Sequence, residues 1–191
     1  MFGSFFDAPL GLVLSVVLLL AFFFYRNVLL HNIAIILGIC GISMVLGLSL
    51  TPKAVVILLI VLSFYDIIAV YKTKHMIKLA KSMIESGAIF GFVIPSSMAG
   101  FLASSREAQA QAGGQFIILG SGDIGLPLIM ICSLIPVSIG MAIITAFFSL
   151  IGLFFTHLIF INQKSRQPMA ALPPIATMTV IGYFVATIFT F

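Results

Sequence analysis

The chain is expected to be an all-α, polytopic transmembrane bundle, and three observations say so. Hydrophobic residues fill 62% of its 191 positions and charged residues 7%, with a mean hydropathy of +1.30. That leaves too little polar surface to cover a soluble globule of this length. Leu, Ile and Phe also gather in runs approaching the ~20 residues that a helix needs to cross a bilayer. Finally, the runs lack the every-second-residue alternation of outer-membrane strands.

Six spans are expected, within one membrane-embedded domain. The first covers 9–30; no basic segment or small-residue cleavage site precedes it, so it reads as a retained span and not a signal peptide. The polar group Arg26, Asn27, His31, Asn32 closes it. The second, 33–50, carries small residues (Gly38, Cys40, Gly41, Ser43, Gly47) that let helix backbones approach closely in lipid, and it ends at Thr51-Pro52-Lys53. The third, 54–71, is apolar until Ser63-Phe64-Tyr65-Asp66.

Residues 72–86 set Met76, Leu79 and Met83 on one face and four lysines elsewhere, which suits a helix lying along the interface or a solvated basic face. Residues 87–103 are apolar but broken by Pro95-Ser96-Ser97, and 104–115 have the small, polar composition of a loop. Spans at 116–135 and 137–161 follow, separated at Pro136. After the polar stretch 162–168 comes the last span, 169–190.

Charge decides whether 87–103 also crosses. With six spans, eight of the nine basic residues share one side and only Lys53 faces the other; a seventh span would split them five to four. The bias of short loops selects six, with loop 72–115 cytoplasmic and both termini of the chain extracytoplasmic in a cell membrane. The net charge of +4 is too scattered for nucleic acid.

Two acids lie inside these spans. An intramembrane carboxylate costs roughly 2.5 to 3.5 kcal/mol on insertion scales, so Asp66 and Asp123 are functional candidates from the outset. Asp66 sits about 8 Å from the cytoplasmic end of its helix and Asp123 about 10 Å, at ~1.5 Å per residue. Gly120, Gly122 and Gly125 thin the second helix so that a neighbour can come close, and Pro127 leaves the Asp123 carbonyl without its helical partner. Pro173 and Pro174 similarly free the carbonyls of Met169 and Ala170, or simply start a helix.

Two carboxyls held together cannot both ionise readily, so the pair is expected to share a proton and titrate as a unit. One member can then activate water while the other donates to a carbonyl oxygen, which is peptide hydrolysis with no metal or other cofactor. Cys40 and Cys132 fall in apolar runs and read as structural thiols. His31, His75 and His157 fit neither a triad nor a metal site.

Tyr65-Asp66, Gly120-Ser121-Gly122-Asp123 and Ala171-Leu172-Pro173 resemble, in order, the Tyr-Asp, Gly-x-Gly-Asp and Pro-Ala-Leu motifs of the presenilin and signal peptide peptidase family, and the chain's size resembles its archaeal members. Ala170 stands where the family has the first proline of the third motif. The resemblance implies that the six spans match the fourth to ninth of a nine-span fold, oriented like presenilin. It implies catalysis by Asp66 and Asp123, with Tyr65, Gly120, Gly122, Ala171, Leu172 and Pro173 around the substrate. The implied partners are transmembrane-helix proteins, cleaved within the membrane lipid, and homo-oligomerisation is left open.

Substrate helices must unwind before hydrolysis, so free backbone edges are expected near Ala88 to Ile94 and Ala171 to Pro173, ready to pair with an extended segment. Two other readings compete. One is an ion channel or secondary transporter using Asp66 and Asp123 as ion sites. The other is a prepilin-type peptidase, which shares Gly-x-Gly-Asp but cuts at a leader boundary outside the span.

Overall fold

The computed structural model describes residues 27–73, 91–95, 116–163 and 169–189. Five helices and a two-stranded sheet are found among them: α1 (Val28–Ser49), α2 (Pro52–Ile67, continued by a π-turn over Ile68–Lys72), β1 (Gly91–Pro95), β2 (Phe116–Gly120), α3 (Ser121–Leu134), α4 (Ile139–Ile161) and α5 (Leu172–Phe189). The expected first span up to residue 26, the amphipathic stretch beyond Thr73 and the loop 104–115 lie outside the described residues.

Among the described residues, four helices are long and apolar enough to cross a membrane: α1, α2 with its π-turn, α4 and α5. Their outward side chains are those that lipid solvates, as at Val45, Phe147 and Phe189, which are 67%, 63% and 78% exposed. The expected helix at 116–135 is corrected. Its first five residues are strand β2, and the helix that follows has only fourteen residues. Gly120, extended at φ −61° and ψ 137°, ends the strand and caps the helix. Since a strand rises about 3.3 Å per residue, the equal depth inferred for the two acids from helical spacing no longer follows.

Local chemistry explains the helix starts. Thr51 Oγ1 accepts from the Ala54 N–H at 3.4 Å and Pro52 fills the first turn of α2, so the Thr51-Pro52-Lys53 stop is also a start. Pro173 and Pro174 occupy the first turn of α5, where the missing N–H groups have no helical partner to lose. Helix α1 begins at Val28, so His31 and Asn32 lie inside it and not in a linker. Both find polar partners there, described next.

The chain divides into two compact units. One comprises Met1–Leu37 with Gly91–Ile118. Within it, Asn32 Nδ2 donates to Val93 O at 2.8 Å, Asn32 Oδ1 accepts from Val93 N–H at 3.0 Å, and His31 Nε2 lies 3.2 Å from Gly91 O. The expected free edge is therefore corrected over its described part, Gly91 to Ile94: β1 pairs with β2, and α1 side chains hold Gly91 and Val93.

The other unit, Gly38–Phe90 with Leu119–Phe191, holds the helix bundle. Leu59, Met130 and Leu134 are wholly buried at its centre. The most extensive packing joins α4 to α5, and glycines set its closeness. A Cβ on Gly152 would come within 2.9 Å of Ile175 Cα, and one on Gly182 within 2.6 Å of Phe148 Cβ. In lipid such close backbone approach supplies the dispersion contacts that hydrophobic burial cannot. Of the small residues in α1, Ser43 and Gly47 face α3. The Ser43 hydroxyl donates to Gly125 O at 3.2 Å, and a Cβ on Gly47 would collide with Cys132. Gly38 and Gly41 have nothing within 4 Å, and Cys40 is exposed.

Candidate active site

The two acids arrive from different helices of the same unit. Asp66 lies near the end of α2, just before the π-turn, and is buried at 9% exposure. Its Oδ2 accepts a hydrogen bond from the Leu172 N–H at 3.3 Å. A helix start has N–H groups with no partner of its own, and the two prolines after Leu172 have none to offer. The Leu172 N–H is therefore a donor that a carboxylate from a neighbouring helix can claim. It holds one oxygen of Asp66.

Asp123 is the third residue of α3 and half-buried. Its carboxylate turns back to accept from the backbone of Gly120, the residue capping the same helix. This is the reciprocal half of a capping box, in which a third-turn-position acid reaches the cap's N–H. The helices that carry the two acids, α2 and α3, pack against each other.

Gly120 has a specific duty here. A Cβ at this position would stand 2.9 Å from Asp123 Oδ2, so any side chain would displace the carboxylate. The sequence suggested that all three glycines admit a neighbouring helix, and the structure separates them. Gly120 clears space for its own acid, Gly125 meets α1 at Ile39, and Gly122 has nothing within 4 Å.

Tyr65 is turned outward and 61% exposed, as adjacent positions on a helix diverge. Ala171 and Leu172 are buried, and Pro173 is half-buried in the first turn of α5. The backbone role of Leu172 was missed from sequence, although a helix start beside a proline pair signals an available amide. A cavity of about 650 Å³, lined by Thr51, Lys53, Leu134, Met141, Tyr183 and Thr187 among others, includes neither acid. It opens at the start of α2, roughly 22 Å along the helix from Asp66 at ~1.5 Å per residue.

Comparisons with known proteins bear on what this pair does. The family model described as signal-peptide peptidase, presenilin aspartyl protease matches residues 6–191. A solved structure of a presenilin family intramembrane aspartate protease, in a C222 crystal form, is similar at a TM-score of 0.61 and 26% identity. The match covers 92% of this chain and 60% of that one. The chain thus spans about three-fifths of the length of the solved protein. The search of curated proteins returned no match.

Proposed function

Since this chain belongs to the signal-peptide peptidase, presenilin aspartyl protease family, we propose that it is an intramembrane aspartyl endopeptidase that hydrolyses peptide bonds within transmembrane segments. The observation that carries the reading is that two acids, Asp66 and Asp123, stand on α2 and α3, separate helices of one unit that pack against each other.

The reaction follows from that pair. With one proton between two carboxyls, the ionised member takes a proton from water as its oxygen attacks the scissile carbonyl carbon. The protonated member donates to the carbonyl oxygen. As the tetrahedral intermediate collapses, the C–N bond breaks, the departing nitrogen takes the proton that the first carboxyl drew from water, and a hydroxyl of the intermediate returns its proton to the second carboxyl, so the pair again holds one proton. The Leu172 amide holds Asp66 and the Gly120 backbone holds Asp123, so both carboxyls are oriented before substrate arrives.

Substrate contacts are assigned to Tyr65, Gly120 and Gly122, which flank the acids in sequence, and to Ala171, Leu172 and Pro173, where the Leu172 N–H meets Asp66. A peptide bond inside a helix is shielded by its own hydrogen bonds, so the segment to be cut must become extended. An extended segment can add to the edge of a sheet, and β2 leads directly into the helix carrying Asp123. The loop 72–115 is assigned to the cytoplasmic side from its lysines.

The test is cleavage of a single-span reporter by the purified chain in detergent, with Asp66→Ala and Asp123→Ala alongside. Wild-type cleavage inside the span, lost in both variants while their helix content stays intact, is the expected result. Cleavage that survives either substitution overturns the aspartyl mechanism.

A further inference from the structure

We propose that the cavity at the start of α2 binds one anionic phospholipid, with its headgroup at Lys53 and an acyl chain over Leu134 and Met141. Every residue lining this space of about 650 Å³ belongs to the helix-bundle unit. Four stretches of chain meet there: the start of α2, the end of α3, the start of α4 and the last turns of α5. Its volume falls among those of small-molecule sites, roughly 300–1,000 Å³.

The lining divides by chemistry. Leu134 and Met141 are buried and form an apolar floor, which Val137, 61% exposed, continues to the surface. Thr51, Lys53, Ser138, Tyr183 and Thr187 supply the polar groups. Ser138 caps α4 without a side-chain hydrogen bond to that helix, and Thr51 accepts from the Ala54 N–H while its own O–H remains a donor. Such a lining suits a ligand that is apolar over most of its length and polar at one end.

Lys53 gives the sign of the charge at that end. The acids among the described residues are Asp66 and Asp123. Asp66 stands thirteen residues further along α2, about 20 Å at ~1.5 Å per residue, and Asp123 lies at the other end of α3 from Leu134. Among the described residues, then, no carboxylate is within ion-pair reach of the ammonium. The starts of α2 and α4 border the same space, and their N–H groups favour negative charge there as well. Depth identifies the source of the anion. Both helices are long and apolar enough to span, and the cavity lies at their first turns, so it opens at the level of lipid phosphates and not in the hydrocarbon middle. A phospholipid brings phosphate and acyl chain to that level together. A zwitterionic headgroup carries a cation of its own that competes with Lys53 for the phosphate, whereas an anionic one does not.

The experiment titrates the purified chain in detergent with dioleoyl phosphatidylglycerol or dioleoyl phosphatidylcholine and follows bound lipid by native mass spectrometry. Phosphatidylglycerol should bind as a single molecule per chain and about fivefold more tightly than phosphatidylcholine, the worth of one lysine beside an anionic headgroup. Lys53→Gln should remove that preference and Lys53→Arg should keep it. Val137→Trp, which fills the cavity from its exposed side, should weaken the binding of both lipids by about fivefold or more with helical circular dichroism unchanged. Should that variant lose its fold, Thr187→Trp fills the same space from α5. Equal affinity for the two lipids, or a preference that survives Lys53→Gln, overturns the proposal. Undiminished binding to the Trp variant puts the lipid elsewhere on the bundle and overturns the site. Glycerol phosphate binding as tightly as the whole lipid makes the ligand a free anion and overturns the phospholipid. Neither readout involves cleavage, so the outcome is separate from that of the reporter assay.

Discussion

The backbone N–H of Leu172, at the start of α5, donates to Oδ2 of Asp66 in α2 across 3.3 Å, tying a membrane-embedded acid to the start of a different helix. Replacing the amide between Ala171 and Leu172 by an ester removes this donor and keeps every side chain. A hydrogen bond to a charged group is worth about 1.5–3 kcal/mol, so single-turnover cleavage should slow roughly 10- to 100-fold. Unchanged cleavage by the ester would mean that Asp66 is held by other groups.

Gly120→Ala should act on Asp123 directly. The added Cβ stands 2.9 Å from Oδ2, closer than real Cβ contacts allow, so the carboxylate must rotate away. Cleavage is expected to fall at least about tenfold, the cost of a misplaced catalytic group, with helical circular dichroism unchanged. Gly38→Ala, where nothing lies within 4 Å, is the matched control and should cleave as wild type does.

The pH profile of kcat should be bell-shaped. As pH falls both carboxyls become protonated and no base remains; as pH rises both ionise and the proton donor is lost. The two limbs belong to the pair and not to either residue, so Asp66→Asn and Asp123→Asn should each abolish the whole curve without shifting one limb. A variant that kept one limb would assign the acid and base roles to separate groups.

The α4–α5 seam should govern stability. Alanine at Gly182 would press on Phe148 Cβ at 2.6 Å, and alanine at Gly152 on Ile175 Cα at 2.9 Å and on the Pro174 carbonyl. Overpacking of this kind costs about 1–3 kcal/mol, or a fall in Tm of very roughly 2–4 °C per kcal/mol for a chain of this size. Gly152→Ala should also depress cleavage in the surviving fold, because it strains the helix start that holds Asp66. Gly182→Ala, ten residues beyond Leu172 and about 15 Å further along α5 at ~1.5 Å per residue, should lower Tm with little effect on kcat.

How much of this was legible before folding differs from residue to residue. Asp66 and Asp123 were plain, since a carboxylate in an apolar run has no bland explanation, and four of the long runs appear as helices able to cross a membrane. β2 was not legible. Phe116-Ile117-Ile118-Leu119 is parted from the apolar residues of α3 only by Gly120-Ser121-Gly122-Asp123, and a short apolar run has no period that separates strand from buried helix. The β-branched pair Ile117-Ile118 between glycines was the available signal. Asn32 and His31 read as a linker because polar residues between apolar runs usually are. Their partners lie about 60 positions away in the chain, where local pattern carries no information.

The π-turn over Ile68–Lys72, closed by the Thr73 N–H on Ile68 O at 3.0 Å, is a helix that has absorbed one additional residue. It closes the span on the far side of Asp66 from Pro52. Removing one residue from the π-turn would let it relax to an ordinary helical turn and leave Asp66 aimed at Leu172. Removing one between Pro52 and Tyr65 would rotate the acid by roughly 100° about the helix axis. The span therefore has a tolerant end and an intolerant end, and the boundary between them falls immediately after Asp66.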